Sequence, residues 1–407
     1  MAYSTFTLPC GLRILHRPSP TPVVYCGFVV DCGTRDELPQ ESGMAHYLEH
    51  LLFKGTRHRR AWHILNRMEA VGGDLNAFTQ KEETVIYAAF MSEHFQRAAE
   101  LLTDIVFQST FPQREMDHEV EVVCDEIDSY QDTPSEQIFD DFEDLIFHGH
   151  PLGRNILGNP HSLRTYRTDD VARFYQRYYQ PQNMVFFLHG SIPFQQVVSV
   201  MDRLLGRLQF PQWSREQRTS PPPYRAQRQK EQRGTHQAHV MLGTRTYPAG
   251  NPHRTPLYLL NNMLGGPGMN SRLNLSLRER RGLVYTVESN LSSYTDTGVF
   301  SIYYGCDAHD VDHCLHLCQK ELEQFMEHPL TPQQLRAAQK QIKGQIGVSL
   351  DNFENTMIDT AKAYLHYGVV ETIDDIFQRI DALTPEVIQE TARELFQEDG
   401  LSLLEYV

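Results

Sequence analysis

The stretch GMAHYLEHLLFKGT, residues 43–56, holds the most informative pattern in the chain. Positions i and i+4 of a helix share one face, so the side chains of His46 and His50 can reach a single metal ion. Glu49 lies three residues after His46 and points near the same face, where its carboxylate can take a proton from water. The stretch predicts an amphipathic helix, because its apolar residues recur at helical spacing: Met44, Leu48, Leu51 and Leu52.

A catalytic zinc site needs a third protein ligand and one open coordination position. The stretch EVEVVCDEI, residues 119–127, supplies candidates on a second predicted helix. Glu119 and Glu126 are seven residues apart and line one face, so one can bind the metal while the other orients a ligand histidine. On sequence alone Asp125 competes with Glu126, and an ordinary acidic helix face is the common meaning of such a run.

The composition narrows the class of partner. The 407 residues carry a formal net charge of −15, and an acidic chain repels phosphate backbones, so we expect no nucleic-acid partner. Cationic peptides or metal ions fit this charge better, although acidity also serves solubility alone. No apolar run reaches the roughly 18 residues of a membrane span, so we expect no membrane partner.

The cysteines and the N-terminus indicate a compartment. Seven cysteines form an odd set without the spacing of a disulfide framework, which indicates reduced thiols. The first residues lack the basic and apolar regions of a signal peptide, although an export signal removed from the chain stays an alternative. We therefore expect a cytoplasmic protein.

The length and the order of predicted elements indicate two similar domains. A chain of 407 residues exceeds the size of one ordinary core. Residues 211–230 contain Pro211 and the run Pro221–Pro223, which favour an extended linker between domains at 1–210 and 231–407. Runs of strands and runs of helices in both halves predict an α+β fold. The expected strands include 22–31, 74–79, 84–90, 183–190, 238–244 and 283–305.

A second group of possible metal ligands occurs in the C-terminal half. It contains pairs with i, i+4 spacing, and a structural zinc site is one interpretation. An amphipathic helix with Leu315 and Leu317 on its apolar face is the commoner meaning of this pattern. The residues of the group are His309, His313, Cys314, His316 and Cys318.

Motifs spread over nearly the whole chain resemble those of one family. The chain resembles the pitrilysin/insulinase family of inverted zinc peptidases (inverzincins), especially its short members similar to the mitochondrial processing peptidase. Cys10 stands where that family usually has an asparagine. Besides residues 43–56, the resemblance rests on GGDLNAFT (72–79), HPLG (150–153), YQPQNM (179–184) and LRERRGLVY (277–285).

The resemblance implies one zinc ion per chain. The family's third ligand has the spacing of Glu126, which follows His50 by 76 residues (126 − 50), so Glu126 is favoured over Asp125 as the ligand that joins His46 and His50. Glu119 is then the outer-shell partner of a ligand histidine. The implied activity is that of a zinc-dependent endopeptidase, which cleaves extended or unfolded peptides by metal-activated water with Glu49 as general base.

The resemblance also implies substrate contacts. Asn76, Ala77, Phe78 and Thr79 resemble an edge strand to which the substrate adds as an extra strand through main-chain hydrogen bonds. Arg278 and Tyr285 resemble a distant catalytic pair that contacts substrate and stabilises the developing oxyanion.

The resemblance implies a fold and an assembly as well. Each domain is expected to be a mainly antiparallel sheet packed with helices, and the chain is expected to form one half of a clamshell chamber. The expected partners are peptide substrates and a second chain, in a homodimer or in a heterodimer with a related inactive chain. The alternative function is that of a non-catalytic structural or partner subunit.

Overall fold

The computed structural model describes residues 3–407, in which runs of strands are separated by runs of helices. In chain order the strands are β1 (Ser4–Thr7), β2 (Arg13–Pro18), β3 (Val23–Val30), β4 (Asp74–Thr79), β5 (Thr84–Met91), β6 (Met184–Gly190), β7 (Arg228–Glu231), β8 (Ala238–Thr246), β9 (Val284–Ser293), β10 (Gly298–Cys306) and β11 (Ser402–Tyr406). The helices are α1 (Met44–Leu52), α2 (Ala61–Glu69), α3 (Phe95–Gln108), α4 (Gln113–Gln131), α5 (Pro134–Ile146), α6 (Pro160–Thr165), α7 (Thr168–Tyr178), α8 (Phe194–Leu205), α9 (Arg254–Gly265), α10 (Val311–Glu327), α11 (Pro332–Ser349), α12 (Phe353–Tyr367), α13 (Ile373–Asp381) and α14 (Pro385–Leu395).

The chain folds into two compact units. Unit 1 combines the chain up to Asp128 with Arg154–Arg218 and Leu350–Glu371. Unit 2 combines Ser129–Gly153 with Thr219–Ser349 and Thr372–Val407. Each unit therefore includes one segment from the opposite half of the sequence.

The sheet of unit 1 carries helices on both faces. Its strand order is β1-β2-β6-β3-β5-β4, in which β2 and β6 are parallel and the other neighbours are antiparallel. One face is covered by a large apolar core that includes residues of α1, α3 and α8. The other face packs against α12 through Met357, Ile358, Ala361 and Leu365, which are all buried. Because both faces are apolar, burying both stabilises this sheet more than a one-sided arrangement would.

The sheet of unit 2 has the same construction. Its strand order is β7-β11-β8-β10-β9, with β7 and β11 parallel and the other neighbours antiparallel. One face packs against helices of the C-terminal half, including α9, α10 and α14. The other face is covered by α5, whose Ile138, Phe142 and Leu145 are buried against the sheet. The expected α+β class, with two similar, mainly antiparallel units, is confirmed.

The domain boundaries differ from the contiguous ranges 1–210 and 231–407. The helices α5 and α12 each complete the unit formed mainly by the other half of the chain, because each sheet has a second apolar face to bury. The change of unit between Arg218 and Thr219 falls inside the expected linker, residues 211–230. That segment is more than a spacer, since Arg218 pairs with Asp36 at 2.6 Å within unit 1 and β7 joins the sheet of unit 2.

Among residues 3–407, no helix has both the length and the apolar character that crossing a membrane requires.

Candidate metal centre

The N-terminus of α1 is held by a close backbone approach. Gly43 precedes the helix with φ of 81°, in the left-handed region that favours glycine. A Cβ atom at this position would lie 2.7 Å from the carbonyl oxygen of Leu157 and 2.8 Å from Cα of Gly158. A side chain here would therefore displace the backbone that carries the helix.

A buried carboxyl group satisfies the first amide groups of α1. Glu37 accepts hydrogen bonds from the backbone N–H groups of Gly43 (3.1 Å) and Ala45 (2.9 Å). These are donors without a partner inside the helix. Burial raises the pKa of Glu37 to about 8, and the two hydrogen bonds oppose that shift. One turn on, the Tyr47 hydroxyl donates to the carbonyl oxygen of Met116 in α4 at 2.8 Å. The contact of Tyr47 joins α1 to the helix that carries Glu119 and Glu126.

Three potential ligand atoms converge between α1 and α4. His46 Nε2 lies 3.8 Å from Glu126 Oε1, and His50 Nε2 lies 3.5 Å from Glu126 Oε2. One ligand atom from each of the three residues lies within 4.8 Å of the other two. Zinc bonds of about 2.0–2.2 Å in a tetrahedron place ligand atoms roughly 3.3–3.6 Å apart, so small adjustments bring all three into range. The residues therefore fit a zinc ion, and the structure favours Glu126 over Asp125 within this group.

The two histidines differ in protonation. Burial, with a smaller contribution from His50, lowers the pKa of His46 to about 3, so its imidazole is neutral. His50 Nδ1 lies 2.9 Å from Glu119 Oε1. At His50, burial lowers the pKa, but the hydrogen bond with Glu119 and the neighbouring carboxylates outweigh burial and raise it, so zinc binding would displace a proton from this ring. A carboxylate partner holds the hydrogen on Nδ1 and leaves the Nε2 lone pair for a metal.

Glu119 is held from both sides. Lys54 Nζ lies 2.6 Å from Glu119 Oε2, opposite the contact with His50. Burial raises the pKa of Glu119, but the hydrogen bonds from His50 and Lys54 outweigh burial and lower the net pKa. The carboxylate thus stays ionised beside His50. The sequence pattern did not indicate a role for Lys54. A lysine one turn beyond His50 usually marks only a solvated helix end.

Glu49 lies beside the same cluster in a buried position. Its residue is 9% exposed, and its Oε2 accepts a hydrogen bond from Thr79 Oγ1 at 2.8 Å. Burial raises the pKa of Glu49, while the Thr79 hydrogen bond and the charge of His50 oppose that shift. A buried carboxyl group beside potential metal ligands has the placement that proton transfer requires.

Strand β4 presents a free edge next to α1. Within residues 3–407 it pairs with β5 alone, from Asp74 opposite Ala89 to Thr79 opposite Thr84, and it ends the strand order of the sheet. Asn76 is exposed, Ala77 and Phe78 are half-buried, and Thr79 is buried. Backbone groups on the outer edge can therefore pair with an added extended chain.

Arg278 and Tyr285 belong to unit 2, whereas the three potential metal ligands belong to unit 1. Arg278 lies on a π-helical turn (Asn274–Glu279), a rare form that is frequent at functional sites. Tyr285 is 69% exposed at the start of β9, the edge strand of its sheet. Between them Gly282, with φ of 64°, donates its N–H to the carbonyl oxygen of Arg278 at 2.8 Å. Both side chains are free to contact a ligand.

The second histidine and cysteine group does not assemble. Cys314 and Cys318 are buried in the core on one side of α10, while His313 and His316 are exposed. Asp307, His309 and Asp310 do lie close together, but on the exposed turn before α10. The amphipathic-helix interpretation of this segment therefore holds.

Comparison with known proteins places the chain in a family. The model of "Insulinase (Peptidase family M16)" matches residues 13–160, and that of "Peptidase M16 inactive domain" matches residues 166–342. The uncharacterized zinc protease YmxG of Bacillus subtilis is 32% identical over 395 residues, which are 97% of this chain and 96% of that protein. The uncharacterized zinc protease SCO5738 of Streptomyces coelicolor is 34% identical over 403 residues, with 96% and 86% covered. The chain belongs to peptidase family M16, as its motifs predicted.

Solved structures share the fold over the full chain. A peptidase M16 inactive domain from Pseudomonas fluorescens has a TM-score of 0.92 at 18% identity and covers 100% of this chain and 98% of its own. A protease from Helicobacter pylori has a TM-score of 0.92 at 20% identity, with 100% and 99% covered. At these identities the likeness concerns the fold alone.

Proposed function

We propose that the protein is a zinc-dependent endopeptidase that hydrolyses extended or unfolded peptides. The convergence of His46, His50 and Glu126 beside the buried Glu49 carries this proposal. The names of the relatives, which describe zinc proteases, support it. In this proposal one zinc ion per chain is held by the two imidazoles and the Glu126 carboxylate.

The roles of the surrounding residues follow from their contacts. A bound zinc ion supplies Lewis acidity toward the reacting carbonyl group. Glu49 takes a proton from the attacking water and returns it to the leaving amine. Because Oε2 of Glu49 accepts from Thr79, the proton is carried on Oε1. Glu119 keeps the imidazole of His50 in the tautomer that binds metal.

The substrate in this proposal is an extended backbone. It adds to the free edge of β4 beside Asn76, Ala77 and Phe78, through main-chain hydrogen bonds that tolerate many side chains. Arg278 and Tyr285 contact substrate and stabilise the oxyanion. A folded protein cannot offer such a strand, so it should be spared until it unfolds.

The test separates the metal ligands from the base. Glu49→Gln should keep one zinc per chain and lower kcat by on the order of 100-fold or more, because it removes only the proton acceptor. His50→Ala should lose both zinc and activity. Zinc is measured by metal analysis after gel filtration, and cleavage by mass spectrometry on a mixed peptide library. Wild-type turnover by the Glu49→Gln protein would contradict the assignment.

A non-catalytic partner subunit is the second candidate. The description "inactive domain" for the match to residues 166–342 favours it. Against it, Glu49 and the three ligand candidates all lie within residues 13–160, where the insulinase model matches. A wild-type protein that binds zinc but cleaves no member of the peptide library would favour the subunit role.

We further propose that the protein is cytoplasmic, because the free thiols of all seven cysteines fit a reducing compartment. We also propose that two chains assemble into the active enzyme. A lone chain would leave the zinc site open to bulk water, so a homodimer is the simplest assembly and a heterodimer with a related inactive chain is the alternative. In the homodimer each zinc site would use Arg278 and Tyr285 of the other chain.

Mixing two inactive proteins tests this assembly. One carries Glu49→Gln and the other carries Arg278→Ala with Tyr285→Phe. If the subunits exchange, half of the dimers are mixed and each rebuilds one of two sites, so activity should return to about a quarter of the wild-type value. Exchange without recovered activity would mean that each chain uses its own pair.

A further inference from the structure

A threonine hydroxyl connects the edge strand β4 to the proposed base. Thr79 is the last residue of β4, and its Oγ1 lies 2.8 Å from Oε2 of Glu49. Both residues are 9% exposed, so water competes little for this hydrogen bond. Within unit 1 this contact is the link between the strand with the free edge and the carboxyl group of α1.

The chemistry of the two groups determines the direction of the hydrogen bond between Thr79 and Glu49. Thr84 lies directly opposite Thr79 in the β4–β5 pairing, and the two hydroxyl oxygens are 3.5 Å apart. The Thr84 hydroxyl donates its one hydrogen to the carbonyl oxygen of Cys32 at 2.9 Å. The Glu49 carboxylate can only accept, so the Thr79 hydroxyl donates its hydrogen to Oε2 at 2.8 Å, a much shorter contact than the 3.5 Å to Thr84.

We propose that Thr79 is a positioning residue for Glu49. Its hydroxyl fixes Oε2, so that Oε1 is the oxygen presented for proton transfer. The inference rests on the proposed function and adds a side-chain role to the expectation that Thr79 belongs to the substrate-binding strand. The main chain of Thr79 remains part of the strand, while its side chain acts on the base.

The arrangement has a consequence for when the base is ordered. A glutamate has three side-chain torsions, and holding them without a partner costs conformational entropy. The β4–β5 pairing fixes the backbone of Thr79, and an extended substrate on the outer edge of β4 would stiffen the same strand. Binding of the peptide backbone and orientation of Glu49 are thus coupled through one residue.

The substitution Thr79→Val removes the hydroxyl and keeps the branched shape. We expect kcat to fall roughly 10- to 100-fold, which is the usual worth of a hydrogen bond to a charged group. KM and zinc content should stay within about twofold of wild type, since no metal ligand or main-chain group changes. Thr79→Ser restores the hydroxyl and should recover most of kcat. A rise in KM with unchanged kcat would instead assign the side chain to substrate binding and overturn the proposal.

Thr84→Val is the matched control. It removes a buried hydroxyl from the opposite position of the same hairpin, whose partner is Cys32 and not Glu49. Stability should fall, while kcat should stay within about twofold of wild type. An equal loss of kcat in Thr84→Val and Thr79→Val would mean that disruption of the hairpin is responsible, and the positioning role would be wrong.

A measurement on the metal-free protein tests the contact without activity. The effect of Thr79→Val on the urea midpoint should be clearly smaller in a Glu49→Ala background than in wild type, because the partner is already gone. The effect of Thr84→Val should be the same in both backgrounds. Equal effects of Thr79→Val in both backgrounds would rule out the hydrogen bond. If wild type neither binds zinc nor cleaves peptides, the proposed function fails, while this cycle still decides the contact.

Discussion

The two units share one strand topology but differ at the helix that follows their first central strand. In unit 1, α1 follows β3 and places His46, Glu49 and His50 toward α4 and β4. In unit 2, α9 follows β8 and packs against β9 at the corresponding place. Its buried positions are mostly apolar: Pro256, Leu257, Leu259, Leu260 and Leu264. One scaffold thus carries a group of potential metal ligands in one unit and apolar packing in the other, so the fold alone does not determine which unit has such a group.

The edge strands differ in a complementary way. The edge strand β4 of unit 1 ends at Thr79, which contacts Glu49. The edge strand β9 of unit 2 has the exposed Tyr285 near its start and follows the π-helical turn that carries Arg278. In unit 1 the polar groups are buried and paired with one another. In unit 2 they are exposed and available to a ligand. The comparison predicts that metal chemistry depends on unit 1 and that unit 2 contributes to substrate contact.

The largest expected effect concerns metal content. His46→Ala should abolish stoichiometric zinc binding, because two remaining ligands do not complete a catalytic site. His309→Ala, in the exposed Asp307–Asp310 turn of unit 2, should leave zinc at one per chain. Metal analysis of the purified variants distinguishes the two. A second zinc that disappears with His309→Ala would show that unit 2 also binds metal.

The next effect concerns the helix that each unit receives from the other half of the sequence. Phe142 of α5 and Met357 of α12 are fully buried on equivalent sheet faces. Phe142→Ala should lower the free energy of unfolding by about 3–5 kcal/mol, and Met357→Ala by about 2–5 kcal/mol. Val348→Ala is the control, because Val348 is 77% exposed. Hydrogen exchange should show that Phe142→Ala weakens protection in β8 and β11, although these strands begin 96 and 260 positions after residue 142 (238 − 142 and 402 − 142). Weaker protection in β3 and β6 instead would contradict the packing of α5 on the sheet of unit 2.

Local patterns predicted the elements that form the site. The expected strands 74–79 and 84–90 correspond to β4 (Asp74–Thr79) and β5 (Thr84–Met91), and the expected helix after Gly43 is α1. In each of these elements the spacing of the apolar residues along the sequence indicates which face is buried. The i, i+4 histidine pair is equally local. For these reasons the part of the site on α1 could be predicted from the sequence without knowledge of any tertiary contact.

The parts that escaped prediction depend on contacts distant in sequence. Strand β7 is the polar tetrapeptide Arg228–Glu231, and it forms by parallel pairing with β11 at the end of the chain. No local pattern indicates that α5 and α12 each pack on the sheet formed mainly by the other half of the sequence. Within the site, the hydrogen bond of Thr79 to Glu49 and the contact of Lys54 with Glu119 join residues 30 and 65 positions apart (79 − 49 and 119 − 54). Such pairs follow from the tertiary fold, not from spacing.

A smaller effect is expected at the exposed pair of unit 2. Arg278→Ala combined with Tyr285→Phe should lower kcat/KM by roughly 100-fold, the scale seen when an oxyanion donor is removed, and should leave zinc content unchanged. Arg280→Ala is the matched control, because Arg280 is exposed just beyond the same turn. Peptide cleavage at low substrate concentration measures the ratio directly. Equal losses in both proteins would indicate a general effect of positive charge.

The smallest expected effect is a difference in acid sensitivity between the two parallel strand pairs. In unit 1, His189 of β6 lies opposite Arg17 of β2 and stacks on Phe353 of α12, with ring centroids 4.8 Å apart. Burial, followed by the charges of Arg17 and His16, lowers the pKa of His189 to about 4. In unit 2 the corresponding pair is Tyr406 of β11 opposite Glu231 of β7. The Tyr406 hydroxyl donates to Asp141 of α5, and burial raises the pKa of this phenol, so it does not titrate in acid.

These two positions predict different behaviour between pH 6.5 and 4: stability falls with the titration of His189 and is unaffected by the Tyr406 hydroxyl. An unfolded histidine has a pKa of about 6.5, so in this interval the unfolded chain binds more protons at His189 than the folded chain does. Stability from His189 is therefore complete above about pH 6.5 and is lost as the pH falls toward 4. His189→Phe keeps an aromatic ring against Phe353 and removes the titration, so the urea midpoint should decline less over that interval than in wild type. His63→Phe, at an exposed position of α2, should leave the decline unchanged, because that ring meets water in both states. At pH 4.5 the backbone amides of β2 and β6 should lose protection from hydrogen exchange before those of β7 and β11. Earlier loss of protection in β7 and β11 would mean that the acid-sensitive contact lies in unit 2.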